Sequence, residues 1–315
     1  MPSLWPEEHL HLSTTERKTL RERLEPGFSR LLQDQNLPAE LTPLLDTLYL
    51  PLSAWLAAHC SKERPLLVGI NGSQGSGKST LCRLLQFLLR DGLGQKSCVI
   101  SIDDLYLTHA ERQQLARRGH PLLATRGVPG THDVSLGLEI FDRLAAATQD
   151  TVTKLPRFDK ASDDRFSEDK WERFRGRPAI ILFEGWCVGA TPQPVTELTE
   201  PVNRLEDLED PAGLWRSYVN QQLAGPYREL FARLDLLLML QVPDWQQVYR
   251  WRRKQEQQLL AGNPGGTGIM DDQALQRFIM HYERLTRHQL TEMPTRADLL
   301  LQLDTEQRIT RIHLP

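Results

Sequence analysis

Leu66 to Thr80 reads LLVGINGSQGSGKST, an apolar run that passes into glycines and then meets Lys78, Ser79 and Thr80. The spacing from Gly72 over four residues to Gly77, Lys78 and Ser79 is that of a phosphate-binding loop, in which backbone N–H groups and a helix N-terminus face an anion. Gly72, Gly75 and Gly77 permit the close backbone approach that phosphates need. Lys78 can reach the β- and γ-phosphates, and the Ser79 hydroxyl is placed to ligate Mg²⁺. The flanks agree: Leu66, Leu67, Val68 and Ile70 read as a buried strand, and Leu81, Leu84, Leu85 and Leu88 follow a helical period. The stretch is expected to be a nucleotide site built from Gly72, Ser73, Gln74, Gly75, Ser76, Gly77, Lys78, Ser79 and Thr80.

The 315 residues suffice for one large α/β domain or two ordinary ones, and 40% hydrophobic content can fill a sizeable core. A net charge of −3 and a pI near 6.3 give no global attraction to nucleic acid or to an anionic membrane, so a small-molecule partner is expected. Cys60, Cys82, Cys98 and Cys187 show neither redox-pair nor zinc-finger spacing. Glu7, Glu8 and His9 stand where a secretory signal would carry its apolar core, and no apolar run has the length of a membrane span. These features favour the cytoplasm.

Downstream of the first helix, Cys98 to Ile102 reads as a second strand ending at Asp103-Asp104. Carboxylates at strand C-termini sit where open α/β sheets bind ligands. A kinase needs such a group to accept or orient the acceptor's hydroxyl proton and to help hold Mg²⁺, and Asp103 is the preferred base, with Asp104 left open. Either Asp could instead cap the helix from Thr108. Ala179 to Phe183 is a third strand that delivers Glu184, an acid placed to ligate Mg²⁺ beside the loop.

Arg126 to Asp133, RGVPGTHD, suits a small polar substrate: Arg126 can pair with an anion while His132 and Asp133 bond hydroxyls. The bland reading is a turn in which Thr131 or Asp133 caps a helix from Val134 to Ala147. Lys154 to Arg165 reads first as a solvated charged loop, although Arg157, Lys160 and Arg165 could line an anion site, and Asp163 to Arg175 is expected to be exposed. A fourth strand, Leu236 to Val242, precedes a helix with Arg250, Arg252, Arg253 and Lys254, which with a Gly-rich loop at Gly262 to Gly268 would suit a lid over phosphates. The helix from Asp271 shows Leu275, Phe278, Ile279, Tyr282 and Leu285 on one face and reads as core alone. Two closing strands follow, Asp298 to Leu303 and Arg308 to Leu314. At the other end, residues 1–64 read as a helical extension with capping-box spacing at Ser13 and Glu16 and a charged segment that ends at Pro26 before Gly27, and residues 65–315 as the nucleotide-binding domain.

Together these residues resemble the plant-type D-glycerate 3-kinase family, among P-loop kinases related to uridine kinase, phosphoribulokinase and pantothenate kinase. The likeness runs from about Tyr49 to Leu290. It rests on the phosphate loop with Gln74 before Gly75, SIDDLYLT at Ser101 to Thr108, RG-x-x-G-x-HD at Arg126 to Asp133, PR-F-DK at Pro156 to Lys160, ILFEGW at Ile181 to Trp186 and VYRWR at Val248 to Arg252. Val128-Pro129 and a shorter stretch between Asp159 and Trp171 depart from the plant pattern. The resemblance implies an α/β P-loop sandwich with a mainly parallel sheet, the cofactors ATP and Mg²⁺, and γ-phosphoryl transfer to a hydroxyl of an organic acid, D-glycerate first. It implies Asp103 as the catalytic Asp, Lys78, Glu184 and Arg252 beside it, and Arg126, His132, Asp133, Arg157 and Arg165 as substrate contacts. Rival readings are a kinase of a nucleoside or pantothenate-like acid and a nucleotide-dependent regulatory ATPase. A guanine-reading Asn/Thr-Lys-x-Asp motif and a Leu-Ser-Gly-Gly signature are both missing.

Overall fold

The computed structural model describes residues 4–262 and 271–314. The chain begins with α1 (Thr14–Asp34) and α2 (Leu50–Ala58), followed by β1 (Leu66–Gly72), α3 (Lys78–Phe87), β2 (Ser97–Ser101), α4 (His109–Arg118) and α5 (Val134–Ala146). Short strands come next: β3 (Val152–Leu155), β4 (Phe158–Asp159), β5 (Asp164–Arg165) and β6 (Glu172–Arg175). Then follow β7 (Ile180–Gly185), α6 (Arg204–Glu209), α7 (Leu214–Ala224), α8 (Pro226–Phe231), β8 (Leu236–Gln241), α9 (Trp245–Gly262), α10 (Asp272–Glu292), β9 (Leu299–Leu303) and β10 (Ile309–His313).

Six strands form the central sheet in the order β10-β9-β8-β1-β7-β2, parallel throughout except for β10. The strand leading into the phosphate loop is therefore interior, and all of β1 is buried, as a strand covered on both faces requires. This is the α/β fold expected, a mainly parallel sheet with flanking helices. β3 pairs with β6, and β4 with β5, as two small antiparallel ribbons beside it.

The α1 helix carries a proline in its interior. Ser13 and Glu16 form the capping box, but the helix runs through Pro26 to Asp34. An interior proline costs about 3 kcal/mol. Leu24, Phe28 and Leu32, four residues apart, are each buried from that helix, at roughly 1.5–3 kcal/mol apiece, so packing outweighs the break. Their side chains belong to the same apolar core as β1 and α3.

Candidate active site

The loop after β1 carries the backbone its glycines predict. Gly75 and Gly77 have φ of 80° and 87°, the left-handed region where a side chain is strained. At Gly72 a Cβ would collide with the Ser76 side chain and press on Leu240, so the strand end admits hydrogen alone. The chain then enters α3 at Lys78, with its first N–H groups facing the loop. Gln307, on the β9–β10 turn, donates from Nε2 to the Gly75 carbonyl at 2.5 Å and so ties the far edge of the sheet to the loop.

Glu184 lies at the end of β7, in register with Ser101 of β2 and Ile70 of β1. The Ser79 hydroxyl donates to its Oε1 at 2.8 Å. Its Oε2 is buried without a hydrogen-bond partner, as are the Ser73 and Ser76 hydroxyls within the loop. Buried orphan oxygens are costly and call for a ligand. A divalent cation with nucleotide phosphates fits both the acid–hydroxyl pair and the two loop hydroxyls. Among the described residues no cluster of three or more His, Cys, Asp or Glu could hold a metal by itself, so such an ion would share its shell with phosphate and water.

Asp103 follows β2 in a short turn from Ile102 to Leu105, the strand ending one residue earlier than expected. It accepts from the Tyr106 hydroxyl at 2.8 Å and from Lys160 Nζ at 2.7 Å. Burial pushes its carboxyl up, but Lys160, Lys78 and Tyr106 together outweigh that and hold it at about 2. Asp104 is spent differently: its two oxygens take the Arg157 guanidinium at 2.9 Å and the Phe158 N–H at 3.0 Å, pinning β4 to the end of β2. Neither Asp caps the next helix, because Thr108 does so with Glu111 in a capping box.

The Arg126–Asp133 segment is held from three sides. Leu107 N–H donates to the Thr131 carbonyl at 3.0 Å and Asp133 N–H to Leu105 at 2.7 Å, which joins it to the chain leaving β2. Trp186 Nε1 donates to the Gly127 carbonyl at 2.9 Å, and the Tyr282 hydroxyl to that of Arg126 at 3.2 Å. Tyr282 was expected to serve the core alone; α10 in fact brings its hydroxyl into the site. Asp133 caps α5 through Leu136 N–H, as one of the two readings expects, and its other oxygen receives Arg165 at 3.3 Å. His132 stacks on Tyr106 at 4.5 Å between ring centres and meets the Tyr227 hydroxyl through Nδ1 at 2.6 Å. Burial drives its imidazole pKa down to about 3 despite Asp103.

The charged stretch after β3 is not a solvated loop. Asp163, at φ 55°, receives the guanidinium groups of Arg126 and of fully buried Arg112, and Arg126 lies over the Phe158 ring. Of the stretch expected to be exposed, Ser167 to Lys170 and most of β6 are so, while Asp163, Asp164 and Arg165 are half-buried where Asp163 finds its cations. Arg157 bridges Asp104 and Glu172. Arg252 pairs with Glu256 along α9, while Arg253 turns away to Asp272, so the four cations of that helix do not act as one patch. Burial raises the Tyr282 phenol above its ordinary value, with the Asp103 charge adding to the rise and Arg126 and Arg252 opposing it. The glycine-rich stretch after Gly262 lies outside the described residues.

Residue-by-residue reading missed Tyr106, Asp163, Tyr227 and Tyr282. Tyr106 stood beside the Asp pair and could have been found at the three-residue spacing from Asp103; the others come from distant segments and left no local signal.

A parallel sheet whose interior strand ends in a glycine-lined phosphate loop, with carboxylates at the ends of the neighbouring strands, defines a P-loop phosphotransferase. The uncharacterized kinase mug58 of Schizosaccharomyces pombe is 35% identical over 228 residues, which cover 70% of this chain and 79% of that one. The chloroplastic D-glycerate 3-kinase of Arabidopsis thaliana is 31% identical over 251 residues, 74% of this chain but only 52% of the plant protein. A solved D-glycerate 3-kinase from Cryptococcus neoformans superposes with a TM-score of 0.69 over 96% of this chain and 100% of that one; at 24% identity this likeness speaks to the fold. No family model matches the chain. The chain belongs to the family of P-loop kinases that includes mug58, with the plant D-glycerate 3-kinase among its relatives, and is an ATP-dependent kinase. Among the described residues no helix is long and apolar enough to cross a membrane.

Proposed function

We propose that the protein transfers the γ-phosphoryl of Mg-ATP to a hydroxyl of an organic acid, most favourably D-glycerate, giving 3-phosphoglycerate. The observation that carries this reading is the Ser79–Glu184 bond at the loop with an orphan Glu184 oxygen, together with Asp103 at the end of β2, a carboxylate that Lys78 of the same loop helps to keep charged. In this reading residues 72–80 cradle the triphosphate, Lys78 and Arg252 offset the charge of the transferring group, and Ser79 and Glu184, with Asp103 nearby, hold Mg²⁺. The ion supplies charge neutralisation at the β- and γ-phosphates. Asp103, ionised down to a pH of about 2, is a feeble base in the ground state. Its work is to orient the acceptor hydroxyl and take its proton late, as a loose phosphoryl-transfer transition state allows.

Arg126 and Arg157 are the cations assigned to the acceptor's carboxylate, with His132, Asp133 and Arg165 around its hydroxyls. The relation to a plant D-glycerate 3-kinase supports D-glycerate; Arg126 and Arg157 are paired in the protein with Asp163 and with Asp104 and Glu172, so this reading has the acceptor's carboxylate share them with those acids. The test is purified protein with Mg-ATP and D-glycerate, L-glycerate, uridine or pantothenate, following ADP against a control without acceptor. ADP formed with D-glycerate alone is expected. Stimulation by another compound would reassign the acceptor, and ATP binding with no stimulated turnover would favour a regulatory ATPase.

A further inference from the structure

Tyr227 is fully buried on α8, 95 residues from His132 in sequence, and its oxygen meets two nitrogens. The Gly130 N–H donates to it at 2.9 Å. His132 Nδ1 lies 2.6 Å away. A phenol has one proton to give and lone pairs to receive with. Were the ring proton on Nδ1, the Tyr227 oxygen would accept twice and its own O–H would be left buried with nothing to donate to. With the proton on Nε2 instead, Nδ1 accepts from Tyr227 and every group at that junction is satisfied. Burial raises the Tyr227 hydroxyl far above its ordinary value, so it keeps the proton it donates.

The geometry points to Tyr227 as a positioning residue that holds the His132 imidazole in its Nε2–H form, giving the acceptor site a fixed, neutral hydrogen-bond donor. The inference rests on the reading above that His132 faces the acceptor. Among the described residues its Nε2 is buried without a hydrogen-bond partner, in a residue only 5% exposed. The ring stacks on Tyr106, whose hydroxyl holds Asp103, so one tyrosine side chain links the imidazole to the carboxylate assigned to the acceptor. The titratable groups facing the ring are Asp103, Tyr106 and Tyr227; Asp103 favours the imidazolium, but burial prevails and the ring stays neutral. A neutral N–H at this point asks for an oxygen lone pair, a hydroxyl or carboxylate oxygen of the acceptor, and leaves an ammonium group there without a partner. His132 is on this account a donor and not a second base.

The test uses the full chain with ¹⁵N-labelled histidine and two-bond N–H correlations, the His132 signals being assigned by their loss in His132→Gln. The wild-type ring is expected to show the Nε2–H pattern and to hold it from pH 8 to about 5.5. Tyr227→Phe is expected to give a mixture of tautomers and to raise KM for D-glycerate on the order of fivefold, the size of one neutral hydrogen bond, with KM for ATP unchanged. His132→Gln, whose amide N–H reaches toward the Nε2 position, should keep a lower acceptor KM than His132→Asn. A wild-type ring protonated on Nδ1, or charged above pH 6, overturns the proposal, as does Tyr227→Phe with tautomer and KM both unaltered. If that variant does not fold, the wild-type spectrum decides alone. The spectrum needs no substrate, so an Nε2–H ring in a protein that turns over no hydroxy acid upholds the tautomer and rejects only the acceptor, and glycerate turnover with an Nδ1–H ring does the reverse.

Discussion

Asp103 and Asp104 are adjacent and chemically identical, yet they are set to different work by what reaches them. Asp104 faces the ribbon and is consumed by Arg157 and the Phe158 N–H. Asp103 faces the phosphate loop, where a tyrosine and two lysines keep it charged. Replacing Asp103 by Asn keeps the shape and removes the charge. The expected result is a fall in kcat of roughly 10²–10⁴-fold with KM for ATP nearly unaltered, measured by steady-state kinetics with saturating acceptor. A variant with wild-type kcat would remove Asp103 from the chemistry.

Among the elements, the Arg126–Asp133 loop shows how a segment without regular structure is made rigid. It is laced to the chain leaving β2, to Trp186 after β7, to Tyr227 on α8 and to Tyr282 on α10, so distant stretches of the chain determine its path. Gly127 is the position with no slack: φ is 139°, and a Cβ would sit within 2.6 Å of the Tyr282 ring carbon bearing the hydroxyl. Gly127→Ala should therefore destabilise the protein by about 1–3 kcal/mol and raise the acceptor KM more than the ATP KM, by urea melts and kinetics on the same preparation. An unchanged midpoint would show that the Tyr282 contact yields freely. The β4–β5 ribbon is braced in a similar way through Asp163, which gathers Arg112 and Arg126.

For the molecule as a whole, stability should depend on pH through buried imidazoles. His132 and His281 are held neutral by burial, at about 3 and about 4 against a usual 6.5. Below pH 6.5 the unfolded chain takes up protons that the folded one refuses, so stability is complete above that pH and drains away as pH falls toward 4. Each ring contributes about 1.4 kcal/mol per pH unit in the steep part of that range. Asp103 has the same sense in a lower window: its folded value near 2 lies below its unfolded one, so its contribution is present above about pH 4 and lost between there and 2. Urea midpoints from pH 7.5 to 4.5 should decline, and His281→Asn should flatten the decline. A level profile between pH 6.5 and 5 would contradict the burial of both rings.

The phosphate loop, the strands on either side of it and the acids at their ends were legible in the chain because each is local: an apolar run, a glycine spacing and a helical period fall within some fifteen residues. So was Asp133 as a cap, and the capping box at Ser13. The course of α1 through Pro26 was not, since the burial of Phe28 that outweighs the proline depends on neighbours elsewhere in the chain. Nor were the half-buried ribbon, the division of labour between Asp103 and Asp104, or the approach of Tyr227 and Tyr282. Sequence alone determined that a nucleotide-binding sheet would form and which acids would stand at its edge, because backbone geometry and hydrophobic period are short-range constraints. Tertiary structure decided which cations and phenols those acids and His132 would meet, because hydrogen bonds and ion pairs are settled by distance in space, and those partners lie up to 95 residues away in the chain.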